Sequence, residues 1–314
     1  MISQEKINEL TDNAKKIRTA LKSNPKDEKT LVNILNSTTN SERQIIRTCY
    51  KRLYNKPIQQ DIKNELTNNF KELCLSMFDT PYEYDSRELY RSLNTTPIKD
   101  KIIIEIFSSR NKSHLNIVDQ AYEQFFKISL KEDIKKKLSK NFSKFLLTIM
   151  DTDRDELKNA SYDEAYKYAQ LIKDNKLNLF EDENIFKNIF LEKSREDLIL
   201  ISRAFFELNN INLYDYIKVI KNEEIEENNK ILIKNILFYI ISPSEWFSKK
   251  IKKAISEQNT DFEQINRILI NRCNNDMDVI RDYYLANNGI ELYKDIQNIA
   301  FNSYGEVITN LCMK

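Results

Sequence analysis

The sequence predicts an all-α protein built from four repeats of about five helices each, and three observations carry that expectation. Only two of the 314 residues are glycine and five are proline, where average usage would give about twenty glycines. A β-rich chain with many tight turns needs residues that take positive φ readily. Asparagine is plentiful here and can end helices in the left-handed conformation instead. The apolar residues recur at helical spacing, as in Leu31, Ile34 and Leu35, then Ile46, Tyr50 and Leu53, then Ile58, Ile62 and Leu66. The third observation is that this apolar pattern itself recurs.

The repetition is carried by fixed offsets. Leu31, Ile103, Phe186 and Ile265 are separated by 72, 83 and 79 residues. The same three offsets carry Ile34 to Ile106, Ile189 and Ile268, and Ile46 to Val118, Ile201 and Ile280. They also join Tyr50, Tyr122, Phe205 and Tyr284; Ile58, Leu130, Leu213 and Leu292; and Ile62, Ile134, Ile217 and Ile296. Such periods mark an architecture in which one supersecondary unit is copied along the chain.

Within the first copy, Ser23 or Asn24 can cap the helix that holds Leu31, and Pro25 suits its first turn. Pro57 opens the helix of Ile58 and Ile62. Phe70, Leu73, Cys74, Met77 and Phe78 form the next apolar face, which Pro81 ends. The string YEYDSRELYRSL adds a fifth helix, and residues 12–21 resemble it. The expected organisation is a short tail over 1–11 and repeats over 12–92 and 93–154. A linker over 155–176 then precedes repeats over 177–254 and 255–314.

Composition narrows the function. Forty-nine basic and 48 acidic side chains leave a net charge of +1, which argues against a general nucleic-acid binder. Cys49, Cys74, Cys273 and Cys312 are scattered and read as small buried apolar residues in a reducing compartment. A single histidine, His114, excludes a two-histidine metal centre and is expected at the surface or in a cap. The lone tryptophan, Trp246, falls opposite Tyr84 when Pro243 is paired with Pro81, at a helix start where a packed aromatic is expected. No apolar run approaches the length needed to span a bilayer, the start MISQEKINEL is too polar for a signal peptide, and nothing points to an enzyme.

Four copies of roughly seventy residues with five helices each resemble the annexin core over residues 12–314. KNELTNNFKELCLSMFDTPYEYDSRELYRSL is similar to the annexin stretch that leads from one repeat to the next, and DTDRDELKNASYDEAYKYAQLI resembles the linker after the second annexin repeat. The composition suggests a divergent member, similar to the α-giardins of protists. The resemblance implies calcium-dependent binding to acidic phospholipid by a cytoplasmic, peripheral membrane protein. In that family a Gly-x-Gly-Thr loop between the first two helices of a repeat offers backbone carbonyls to Ca²⁺. A carboxylate from a later loop and a lipid phosphate complete the shell. Ca²⁺ accepts six to eight such hard oxygens.

Carried onto the first repeat, the family pattern places Leu21, Ser23 and Pro25 at the carbonyl positions and Glu65 at the carboxylate. Neither glycine is present, so any Ca²⁺ binding is expected to be weak or confined to few sites. In the second repeat Lys137 stands where the acid belongs, which repels a cation. With Lys99 and Lys101 it is a candidate to meet lipid phosphates directly. In the fourth repeat Ile299 holds the acid position, beside a loop with Glu257 and Asn259, and Thr260 and Asp261 keep the family's capping residues. In the third, Asn178 and Phe180 lie in the loop, and Glu223, Glu224, Glu226 and Glu227 cluster near the acid position. The alternative expectation is a calcium-independent scaffold or cytoskeleton-associated protein on the same fold. The short tail argues against an N-terminal partner helix, so partners would bind the core.

Overall fold

The computed structural model describes residues 3–154, 161–175, 178–220 and 226–314. All of the regular structure among them is helical. The chain divides into two compact units: residues 1–84 with 244–314, and residues 85–243.

The first unit opens with α1 (Gln4–Lys22), α2 (Glu28–Ser37), α3 (Asn40–Tyr54), α4 (Ile58–Glu65) and α5 (Asn68–Phe78). Helix α1 packs on α2, α3 and α4, and α5 closes the set against α3 and α4. Its start at Gln4, where Ser3 accepts a hydrogen bond from the Lys6 amide, makes helix of most of the segment expected as a tail. Helix α6 (Pro81–Leu93) carries the chain across the boundary at residue 84. The second unit continues with α7 (Asp100–Ser109), α8 (Lys112–Phe126), α9 (Leu130–Lys137) and α10 (Lys140–Asp151). After α11 (Tyr162–Asp174) come a 3₁₀ turn at Asn178–Phe180, α12 (Glu183–Phe186) and a π-helical segment at Lys187–Leu191. Then follow α13 (Arg195–Asn209), α14 (Leu213–Val219) and α15 (Glu227–Ile241). The first unit is completed by α16 (Pro243–Ser256), α17 (Phe262–Arg272), α18 (Met277–Asn288), α19 (Leu292–Ile299) and α20 (Asn302–Met313), with α20 packed on α2, α5 and α17.

The residues joined by the fixed offsets form the interior. All six columns, from Leu31, Ile103, Phe186 and Ile265 through Ile62, Ile134, Ile217 and Ile296, are at most 6% exposed. Burial of that completeness stabilises by roughly 1.5–3 kcal/mol per large apolar side chain, so the repeated columns contribute substantially to the stability of each helical set. The four cysteines are free and buried, and Trp246 packs inside at 2% exposure, as the pairing of Pro81 with Pro243 predicts.

Helix ends repeat as strictly as helix faces. Asn55, Lys127, Asn210 and Gly289 follow α3, α8, α13 and α18 at equivalent positions, with φ of 54, 62, 56 and 69°. Each ends its helix in the left-handed conformation, so asparagine does replace glycine at two of these caps. The caps at the other ends are also shared. Asp27, Asp182 and Asp261 accept hydrogen bonds from the first-turn amides of α2, α12 and α17. Asp27 is thus the cap of α2, where Ser23 or Asn24 was expected. Ser23 instead ends α1, and Pro25 lies before the helix rather than in its first turn.

Candidate calcium and lipid-contacting loops

A common turn joins the first two helices of three repeats. The amides of Asp27, Lys99 and Asp261 donate to the carbonyls of Ala20, Ser92 and Ala254 at 3.3, 3.1 and 3.0 Å. Each donor lies seven residues after its acceptor, and each bond pins the start of the second helix to the end of the first. In the first of these loops the Ser23 hydroxyl donates to the Ala20 carbonyl at 2.8 Å and accepts from the Asp27 amide at 2.9 Å. The glycine-free loop is therefore held by its own hydrogen bonds.

Two of the four expected metal ligands of this loop, the Leu21 carbonyl and the Glu65 carboxylate, come together, around a different cation. The Lys26 ammonium donates to the Leu21 carbonyl at 2.9 Å and to Glu65 Oε2 at 2.6 Å. Lys22 pairs with the other carboxylate oxygen, Oε1. The Lys22 and Lys26 ammonium groups together hold the Glu65 carboxyl at about 2, well below the ordinary carboxylate range. Ca²⁺ needs six or more oxygens free to converge on one point. Here the one carboxylate of the set is shared between two ammonium groups, and one of these also takes a carbonyl ligand. In this arrangement the residues do not fit a calcium ion. Among the described residues, no cluster of three or more acidic, His or Cys side chains could hold a metal.

The second repeat inverts the polarity of the same pair. Lys22 and Glu65 are equivalent to Asn94 and Lys137, and the Lys137 ammonium donates to Asn94 Oδ1 at 2.6 Å and Asp133 Oδ2 at 2.8 Å. It also lies 5.9 Å from the centre of the Tyr90 ring. Lys137 therefore ties the end of α9 to the end of α6, and its side chain is only 23% exposed. Lys99 and Lys101 are exposed at the start of α7, and Lys99, unlike its Asp equivalents, makes no side-chain cap.

Ile299 closes α19 in the fourth repeat with no acid at the ligand position, and Asp261 caps α17 by accepting from the Gln264 amide at 2.9 Å. Of the third-repeat acids, Glu223 and Glu224 lie outside the described residues. Glu226 accepts from the Ser139 hydroxyl at 2.8 Å, and Glu227 pairs with Lys230 at 3.5 Å.

Two polar networks were not read from the sequence. Tyr50, Tyr122 and Tyr284 donate to Asp61, Asp133 and Asp295, each eleven residues farther on, the last two at 2.5 and 2.6 Å. Arg18 and Lys56 complete the first of these, and Lys252 pairs with Asp295 at 2.9 Å. The recurrence of Asp at the same three offsets was the available signal. The third repeat has Phe205 and Tyr216 instead, with ring centres 4.8 Å apart. The other network centres on Asp85, which is fully buried. Arg110 Nε donates to Asp85 at 2.7 Å, and His114 Nε2 lies 2.8 Å from it. Burial alone would raise the Asp85 carboxyl, but Arg110 and His114 outweigh it and hold the group at about 2. His114 does not cap: Asn111 caps α8 by accepting from the His114 amide at 2.9 Å, and the His114 side chain is partly buried against Asp85 rather than at the surface.

The sequence profile of the annexin family matches residues 12–77, 84–149 and 247–311. The chain belongs to the annexin family. Mouse annexin A3 is 29% identical over 300 residues, covering 95% of this chain and 92% of the relative. The solved structure of annexin III superposes with a TM-score of 0.87 at 26% identity, over 97% of this chain and 94% of that one. A calcium-bound structure of α-14 giardin shares the fold, with a TM-score of 0.77 at 15% identity over 96% of this chain and 99% of that one. Membership implies calcium-dependent phospholipid binding in general. Among the described residues, no helix is long and apolar enough to cross a membrane.

Proposed function

We propose that this annexin attaches peripherally to acidic phospholipid surfaces with mostly degenerate calcium sites, so that its calcium dependence is weak. One observation carries the reading: in the first, second and fourth repeats the acid position is paired or replaced. Glu65 is paired with two lysines, Lys137 has replaced the acid, and Ile299 has removed it. Family members gain avidity when several sites engage one membrane, and linked binding of that kind falls steeply as sites are lost. Lys99, Lys101 and Lys137 are the basic side chains of the second repeat that would face lipid phosphates, with Lys137 partly committed to its loop.

The pairing of Glu65 also favours the calcium-independent arm of the reading, whether the surface bound is lipid or a cytoskeletal protein. Sedimentation with phosphatidylserine-containing vesicles across calcium concentration tests it. Binding should change less than about tenfold between chelator and about 0.1 mM Ca²⁺, with losses in salt as expected for lysine–phosphate attraction. Tight binding that switches on at submicromolar Ca²⁺ would sink the proposal.

A further inference from the structure

We infer that Lys26, assisted by Lys22, is a built-in replacement for the calcium ion of the first-repeat loop: it joins the Leu21 carbonyl to the Glu65 carboxylate and presents their shared positive charge to an anionic phosphate without any metal. The second half of this inference, the phosphate contact, rests on the membrane reading above; the first half does not.

Geometry and charge both support the exchange. An annexin calcium site must bridge a carbonyl at the end of the first helix to a carboxylate at the end of the fourth. Lys26 Nζ makes that bridge, at 2.9 Å to the carbonyl and 2.6 Å to the carboxylate. A divalent ion with one carboxylate carries a net charge of about +1. Two ammonium groups around the one Glu65 carboxylate leave the same net charge. The two lysine side chains remain 44% and 32% exposed, whereas that of Glu65 is 18% exposed. The cationic side of the cluster is thus the side open to solvent, and an ammonium has three donors, of which Lys26 directs only two inward.

The substitution also explains why the loop can dispense with glycine. Glycines let several carbonyls converge on one ion. A lysine needs only one carbonyl and brings its own tether, so Pro25 and Ser23 are tolerated where the family has glycine. The second repeat reaches a comparable closure by the opposite route, with Lys137 on the fourth helix reaching Asn94 on the first. Two loops of this chain therefore hold a lysine ammonium between the elements that calcium would join.

The test separates metal from membrane. Calcium alone is titrated calorimetrically into the full chain, into the double variant Lys22→Ala/Lys26→Ala, and into that variant carrying Glu65→Gln as well, each checked for native helicity and melting. Wild type should take up no Ca²⁺ at this loop below about 1 mM. The double variant, with carboxylate and carbonyl released, should gain a site with Kd on the order of 10⁻³ M or tighter, and Glu65→Gln should abolish it. A wild-type calcium site that the single variant Glu65→Gln, titrated alongside, removes, or a folded double variant that gains none, overturns the replacement. In the second arm, vesicles containing phosphatidylserine are sedimented in chelator. The double variant should bind on the order of tenfold more weakly, and unchanged binding overturns the phosphate contact. Failure of the wild type itself to sediment would instead refute the membrane reading, while the calcium titration still decides the role of Lys26. Repeating this arm with soluble inorganic phosphate as competitor distinguishes a headgroup contact from general phosphate capture.

Discussion

Side chains that the sequence displays as ordinary charged or aromatic residues turn out to be paired across long separations. Tyr122 and Asp133 form a buried hydrogen bond of 2.5 Å. Its loss leaves the carboxylate short of a donor, which costs about 1–3 kcal/mol for a bond to a charged group. Tyr122→Phe should lower the stability measured by urea unfolding by that amount, and Tyr284→Phe by a similar one. Asp85 makes a second residue-scale prediction. Because Arg110 and His114 depress its folded value to about 2, below the ordinary aspartate value of about 3.9, its contribution is fully present above about pH 4. It is lost as pH falls toward 2, on the order of 2 kcal/mol. Asp85→Asn should be destabilised near neutral pH, since it strands Arg110. Its stability should then fall less steeply than wild type between pH 4 and 2 in acid-unfolding curves.

At the scale of the element, the equivalent helix ends form an internal control. Three of the left-handed caps after the third helix of a repeat are Asn or Gly, and the fourth is Lys127, at φ 62°. A β-carbon in that conformation costs roughly 1–2 kcal/mol unless the side chain is Asn, Asp or absent. Lys127→Asn should therefore stabilise the protein by up to about 1 kcal/mol, seen as a higher urea midpoint with unchanged slope. The equivalent helix starts likewise differ from what a single start suggests. Ser23, Asn24 and Pro25 satisfy the usual signals for a helix N-terminus, yet Asp27 is the cap. The amide of that residue also closes the turn onto Ala20. Comparison with Asp182 and Asp261, at the same offsets, identifies the capping position where local propensity alone does not.

For the molecule as a whole, the fold was legible because burial imposes periodicity. Each residue in the six repeated columns must leave water, and the spacing that achieves this in one repeat is copied in the others. The positions of Glu65 and Lys137 were legible for the same reason, through the family pattern. Their partners were not. Lys22 and Lys26 lie 43 and 39 residues before Glu65, in a stretch whose lysines look solvated, and nothing in their local sequence shows that both ammonium groups converge on one carboxylate. Periodicity reports which side chains face inward. It carries no information on which charged side chains meet at the ends of helices, because those meetings depend on loop geometry.

The third repeat has its own interior chemistry, and this bears on how the chain could be altered. Where the other repeats set a tyrosine hydroxyl on an aspartate, it sets Phe205 against Tyr216. Both members of the pair have changed, so neither can be exchanged singly with its counterpart. Phe205→Tyr would bring a buried hydroxyl against an aromatic ring, and Tyr216→Asp would bury a carboxylate with no donor facing it. A graft between repeats must carry the two positions together. The four copies are similar in outline but are not interchangeable parts.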